Sequence, residues 1–333
     1  MKKMIQKVVL AVGMFVLAGE VSFAAKKQQK VVRIGSASGA TRQFDGTLGV
    51  GKELGYVEEE LKKVGYGVEW IAFANGPEVN EAFIANALDV SGIGDIPALT
   101  GFSNGIGVSW IGNILANNDK VIAVKKGSSI KTPKDLEGKS IAVGIGTDAH
   151  YTIEKFIEGF NLDHSKINLV NLVINNGIAS VLSGAVDAVV GNTAVLLPLV
   201  ENGELEVLFS TVEKQEWSTQ IILVGRDKFL KDNPKAVKAL FTALLRAHEE
   251  IVKNPEKYYV TVSAQKIAKA PQLGPQLFNI DGGKFINLHP QVQPKAIETE
   301  QSIYDFFYSI GRIKTQKNLK DFYKSSYYES AKK

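Results

Sequence analysis

Short apolar runs alternate along the chain with longer stretches in which apolar residues recur every three or four positions. The runs fall at residues 31–34, 68–73, 88–93, 121–124, 140–144, 167–172, 185–190 and 221–224, lengths that suit strands. Among the periodic stretches, residues 77–87 set Val79, Phe83 and Ala87 on one face behind Pro77, which fits a first helical position. Residues 148–160 carry Ile153, Phe156, Ile157 and Phe160 at helical spacing, and residues 234–252 and 294–310 give two more helices. Strands alternating with helices predict βαβ units, hence an α/β fold built on mostly parallel sheets flanked by helices.

Residues 120–222 contain enough such units to close on themselves, and the sections on either side read as parts of one other domain. The pattern therefore predicts two lobes joined by two crossover segments, near residues 117–120 and 219–223. One lobe takes residues 30–118 and 223–333; the other takes 119–222. No internal repeat or low-complexity linker interrupts this order.

The first residues follow a different pattern. Met1-Lys2-Lys3, an apolar run over 8–17 and Ser22-Phe23-Ala24 read as a cleavable export signal, residues 1–24, ending at Ala24. The run is about half the ~20 apolar residues that a membrane span requires. A periplasmic location is expected. With no cysteine in the sequence, neither disulfides nor a lipid-bearing cysteine can stabilise or anchor the mature chain. The net charge of +4 includes lysines of the leader and of the tail, and no basic cluster interleaved with aromatics points to nucleic acid.

Catalytic and metal motifs are missing. His150, His164, His248 and His289 show no ligand spacing, and neither a nucleophile elbow nor a phosphate-binding Gly-rich loop with its lysine is present. No cofactor and no enzymatic activity are expected.

The remaining chemistry sits where strands give way to helices. Gly144-Ile145-Gly146-Thr147-Asp148-Ala149-His150-Tyr151 opens the helix over 148–160, and a helix start offers bare amides and partial positive charge to an anion. Thr147, His150 and Tyr151 can add donors there, or Thr147 and Asp148 can simply cap the helix. Asp148 counts against an anion beside its own side chain. Gly94 and Asp95, followed by Ile96 and Pro97, form a second junction, in which Asp95 can cap a helix or receive a ligand donor. Gly191-Asn192-Thr193 forms a third. In open α/β sheets such strand ends face the ligand crevice. The loop over 36–46 supplies Arg42, Phe44 and Asp45, the arginine being able to grip an oxyanion through two hydrogen bonds. Trp217 can form an aromatic wall near the second crossing, or pack in a core.

In order along the chain, Val68-Glu69-Trp70, Gly76-Pro77, Gly94-Asp95-Ile96-Pro97, Leu136-Glu137-Gly138-Lys139, Ala149-His150-Tyr151, residues 183–188 and residues 304–313 resemble the periplasmic binding proteins of aliphatic sulfonate, taurine and nitrate uptake systems. The resemblance spans nearly the whole mature chain. It implies the two-lobed type 2 periplasmic-binding fold, with a small, anionic, sulfonate-like ligand gripped between lobes and delivered to the membrane permease of an ABC transporter by a monomer. It also carries Gly94, Asp95, Ala149, His150 and Tyr151 into the cleft lining. Where that family shows a tryptophan, an aspartate and a proline, this chain has Gly191-Asn192-Thr193, which points to a different head group or a bulkier ligand. Two other readings are a receptor that signals through a membrane kinase and the thiamine-pyrimidine synthase of the same fold. The synthase uses a cysteine-rich motif that this chain lacks.

Overall fold

A computed structural model describes residues 30–37, 44–255, 257, 284 and 286–332, apart from the side chains of residues 117, 194 and 215. The expected export signal and Arg42 lie outside the described residues. No helix among the described residues is long and apolar enough to cross a membrane.

Two five-stranded sheets organise the chain. The first runs in the order β2 (Tyr66–Phe73), β1 (Lys30–Ala37), β3 (Val90–Gly94), β10 (Thr219–Arg226) and β4 (Val108–Asn118). The second runs β7 (Asn168–Asn171), β6 (Ser140–Val143), β8 (Ala188–Asn192), β5 (Lys120–Lys125) and β9 (Leu205–Ser210). The sheets share one plan: three parallel strands, then one antiparallel strand, then an edge strand paired to it. Both are therefore mixed rather than mostly parallel, because the strand that enters each lobe after a crossing, β5 or β10, runs against its neighbours.

β4 leads directly into β5 through Asp119, and β9 reaches β10 through residues 211–218. Thr219 already pairs with Asn118 in the first sheet, so the second crossing lies just ahead of the expected 219–223.

Period-two alternation explains how each sheet is covered on both faces. In β5, Ile122 and Val124 point to one core, with Ile153 and Phe156 of α5 (Asp148–Gly159). Val121 and Ala123 point to the other, beside Val181 of α6 (Ile174–Ser183) and Leu196 of α7 (Thr193–Glu201). In β10, Leu223 faces α1 (Gly46–Glu53), α2 (Tyr56–Lys63) and α9 (Pro234–Lys253). Ile222 and Val224 face α3 (Gly76–Ile84), α4 (Asp95–Ser103) and α10 (Pro294–Ser309). Tyr151, from α5 of the second lobe, joins this last core. One helix of the second lobe is thus packed between the lobes.

Candidate functional site

The two crossings run side by side and are braced by a buried polar knot. Lys120 is fully buried, and its Nζ lies 2.6 Å from Asn118 O, 3.0 Å from Thr219 Oγ1 and 2.8 Å from Asp148 Oδ2. A buried ammonium requires such a partner. Asn118 Nδ2 donates to the same Asp148 oxygen at 2.8 Å. Asp119 accepts from Thr211 Oγ1 at 3.0 Å and Ser218 Oγ at 2.6 Å, and burial pushes its carboxyl up. The Thr193 amide closes the brace on Asp119 O at 3.0 Å.

A second set of acids adjoins the knot. Asp95 begins α4, fully buried, and accepts from the Ile96 amide at 2.7 Å and the Gln220 amide at 2.6 Å. Gln220 Nε2 donates to Glu300 of α10, also fully buried, at 2.6 Å. Burial, reinforced by the Asp148 charge, pushes Asp95 up to about 7, and burial beside Asp95 holds Glu300 well above the carboxylate range. Asp45, the residue before α1, does not cap its helix. Burial and then Asp148 push Asp45 up to about 7, with Lys120 opposing.

Two of the expected junctions meet across the lobes. An added Cβ on Gly94 would lie 3.7 Å from Asp148 Cγ, so the end of β3 abuts the start of α5. Beside this contact lies a cavity of about 470 Å³, walled by Asn80, Pro97, Thr100, Phe307 and Arg312 of the first lobe and by Ile145, Gly146 and His150 of the second. His150 is nonetheless buried, not poised on an open surface. Its Nδ1 accepts the Gly146 amide at 3.3 Å, so a neutral ring carries its proton on Nε2. Nε2 stands 3.1 Å from Glu154 Oε1 but out of line for a hydrogen bond, so this is an electrostatic contact.

The other sequence candidates are spread around this centre. Thr147 takes the N-cap backbone position of α5, but its hydroxyl turns back to Gly144 O at 2.6 Å. Ala149 packs in the second lobe's core, while Tyr151 crosses to Phe306 and Phe307. Asn192 ends β8 and Thr193 opens α7, its buried hydroxyl without a hydrogen bond. Phe44 and Trp217 sit in packing positions: Phe44 meets Trp70 edge to face at 4.9 Å, and Trp217 lies against Phe209, Phe160 and Gly159. Sequence reasoning missed Lys120, Asn118, Gln220 and Glu300. Glu300 left a signal, since it shares the buried face of α10 with Ile303, Tyr304 and Phe307 at helical spacing.

Three comparisons bear on this arrangement. A putative aliphatic sulfonates-binding protein of Bacillus subtilis (strain 168) is 29% identical over 238 residues, 69% of this chain and 69% of that protein. The taurine-binding periplasmic protein of Escherichia coli (strain K12) is 25% identical over 200 residues, 59% of this chain and 61% of that protein. The crystal structure of a putative periplasmic sulfonate-binding protein from Methylobacillus flagellatus KT superposes with a TM-score of 0.72 at 22% identity, covering 91% of this chain and 93% of that one. That likeness fixes the fold as the two-lobed periplasmic-binding architecture. The model of the family described as NMT1/THI5 like matches residues 47–258, more than half of the sequence and both crossings, and the chain belongs to that family.

Proposed function

We propose that this chain is the extracytoplasmic solute-binding component of an ABC importer, which holds a small organic molecule between its lobes and presents the closed form to a permease. The observation that carries this reading is the cavity of about 470 Å³ with walls from both lobes. Its size falls in the usual range for ligand pockets, and a molecule that touches both walls favours the closed arrangement by its differential affinity. The named functions of the relatives and the export signal expected at residues 1–24 agree with it. Cavity, crossings and knot together support the receptor reading.

The test is a thermal-shift screen of the chain from Ala25 against small sulfonates, amines and heterocycles, repeated on Thr100→Trp, which fills the cavity from α4. A ligand at 100 times its Kd raises stability by about 2.7 kcal/mol. The expected result is a hit on the parent chain that Thr100→Trp loses while remaining folded. A ligand that binds both proteins equally would place its site elsewhere.

A further inference from the structure

The start of α5, where a bound oxyanion would be received, is filled by the chain itself. Asp148 Oδ1 accepts the Ala149 amide at 3.1 Å, and Oδ2 takes Asn118 Nδ2 and Lys120 Nζ, each at 2.8 Å. The carboxylate therefore occupies the positive end of the helix and engages the cation that faces it. Two more acids surround this ion pair: Asp95, locked by amides, and Asp45, whose carboxyl has no hydrogen bond or ion pair among the described residues. Both acids feel the Asp148 charge, and both feel Lys120.

Two buried hydroxyls point to an occupant independently of the charges. Thr47 Oγ1, in the first turn of α1 just after Asp45, and Thr193 Oγ1, at the start of α7, are buried without hydrogen-bond partners. They stand at helix starts of opposite lobes, and Thr193 is tied by its amide to Asp119, next to Lys120. Buried polar atoms are ordinarily satisfied, so an orphaned hydroxyl at a helix start of each lobe marks a position where a guest can supply the missing bond.

We infer that Asp148 determines specificity by filling the oxyanion seat, and that the cleft takes a ligand whose polar end is a protonated or amino nitrogen received by Asp45. The inference rests on the solute-receptor reading above and names its ligand class. A sulfonate placed here would face three carboxyl groups and a lysine already engaged by one of them, an arrangement that selects against anions. An ammonium finds an acceptor on Asp45 and displaces any proton that Asp45 carries.

The experiment is a thermal-shift and calorimetric comparison of two probe series on the chain from Ala25. One series is agmatine, putrescine, benzylamine and 4-aminopyrimidine; the other is butanesulfonate, benzenesulfonate, sulfate and nitrate. The expected result is that a nitrogen probe binds, no oxyanion does, and Asp45→Asn weakens the nitrogen probe roughly tenfold or more, the size of one charge-assisted hydrogen bond. Asp148→Asn, which releases Lys120, should gain oxyanion binding. If that variant fails to fold, Asp45→Asn decides alone, because it leaves the ion pair intact. Oxyanion binding to the parent chain, or an Asp45→Asn variant that keeps full affinity for the nitrogen probe, overturns this inference and leaves the receptor reading standing. A parent chain that responds to neither series overturns both.

Discussion

The backbone amide of Gln220 donates to Asp95 Oδ2 at 2.6 Å, and the side chain of the same residue donates to Glu300 at 2.6 Å. One residue of β10 thereby holds the start of α4 and the middle of α10 beside the second crossing. Both acids are fully buried, and folding favours their protonated forms.

A carboxyl whose pKa is raised by folding stabilises the protein below its ordinary value, and that stability is lost as pH rises toward the folded value. For Asp95 the window runs from about 4 to about 7, and for Glu300 it extends upward from the ordinary glutamate range. Resistance to urea should therefore fall between pH 4 and pH 7, with Asp95 contributing on the order of 4 kcal/mol. Glu300→Gln keeps a hydrogen-bonding amide and removes one titration, so its stability should vary less with pH. An unchanged slope in the variant would separate the pair from the effect.

Asp89 predicts the opposite sign. Burial alone would raise its carboxyl, but hydrogen bonds from Arg33 and Arg226 outweigh burial and hold it below the usual range. Arg33 binds it with Nε at 3.0 Å and Nη2 at 2.8 Å, and Arg226 Nη2 adds a contact at 2.7 Å. This stability is present above the ordinary aspartate value and lost as pH falls through the depressed one. Asp89→Asn should cost roughly 2 to 3 kcal/mol at neutral pH, read from urea midpoints, and should lessen the loss of stability in acid.

The strands that read most clearly in the sequence are those with uninterrupted apolar cores, such as residues 121–124, where alternation between two covered faces leaves an all-apolar run. β4 was not legible because its sequence, VSWIGNILANN, mixes buried asparagines and a glycine into the strand. Asn113 is buried because its amide bonds to Asn287 O and His289 O, a long-range fact that no local pattern encodes. α1 was hidden by three glycines and α7 by an internal proline, Pro198. The junctions over 94–97 and 144–151 were recognisable from their glycines and helix starts. Their electrostatics were not, because Lys120 and Asp148 are 28 residues apart in sequence and meet only once α5 folds onto the second sheet.

Gly46 can be tested without reference to any ligand. Its φ of +56° suits glycine, and an added Cβ would lie 2.3 Å from Ile114 O, a backbone atom that cannot turn aside. Gly46→Ala should cost about 3 kcal/mol in urea unfolding and displace the start of α1, which carries Asp45. A variant as stable as the parent would show that this turn relaxes freely.

The seam between the lobes allows a final prediction. Tyr151 of α5 meets Phe306 edge to face at 5.7 Å and Phe307 at 5.8 Å, while Lys155 Nζ stands 4.7 Å above the Phe306 ring. Burial, with Asp95 and Glu300 nearby, holds the Tyr151 phenol protonated well above its usual range, so the ring meets α10 as a neutral group. Each aromatic pair adds about 0.5–1.5 kcal/mol beyond the area it covers, enough for the two pairs to shift an open–closed equilibrium by an order of magnitude or more. Tyr151→Ala should enlarge the radius of gyration of the ligand-free chain in solution scattering, whereas Tyr151→Phe should keep it. Because α5 also carries Asp148, opening this seam moves the start of α5 away from Gly94 of the first lobe, and Tyr151→Ala should also weaken ligand binding. If Tyr151→Ala scatters like the parent and binds like it, the knot at the crossings holds the lobes together without the rings.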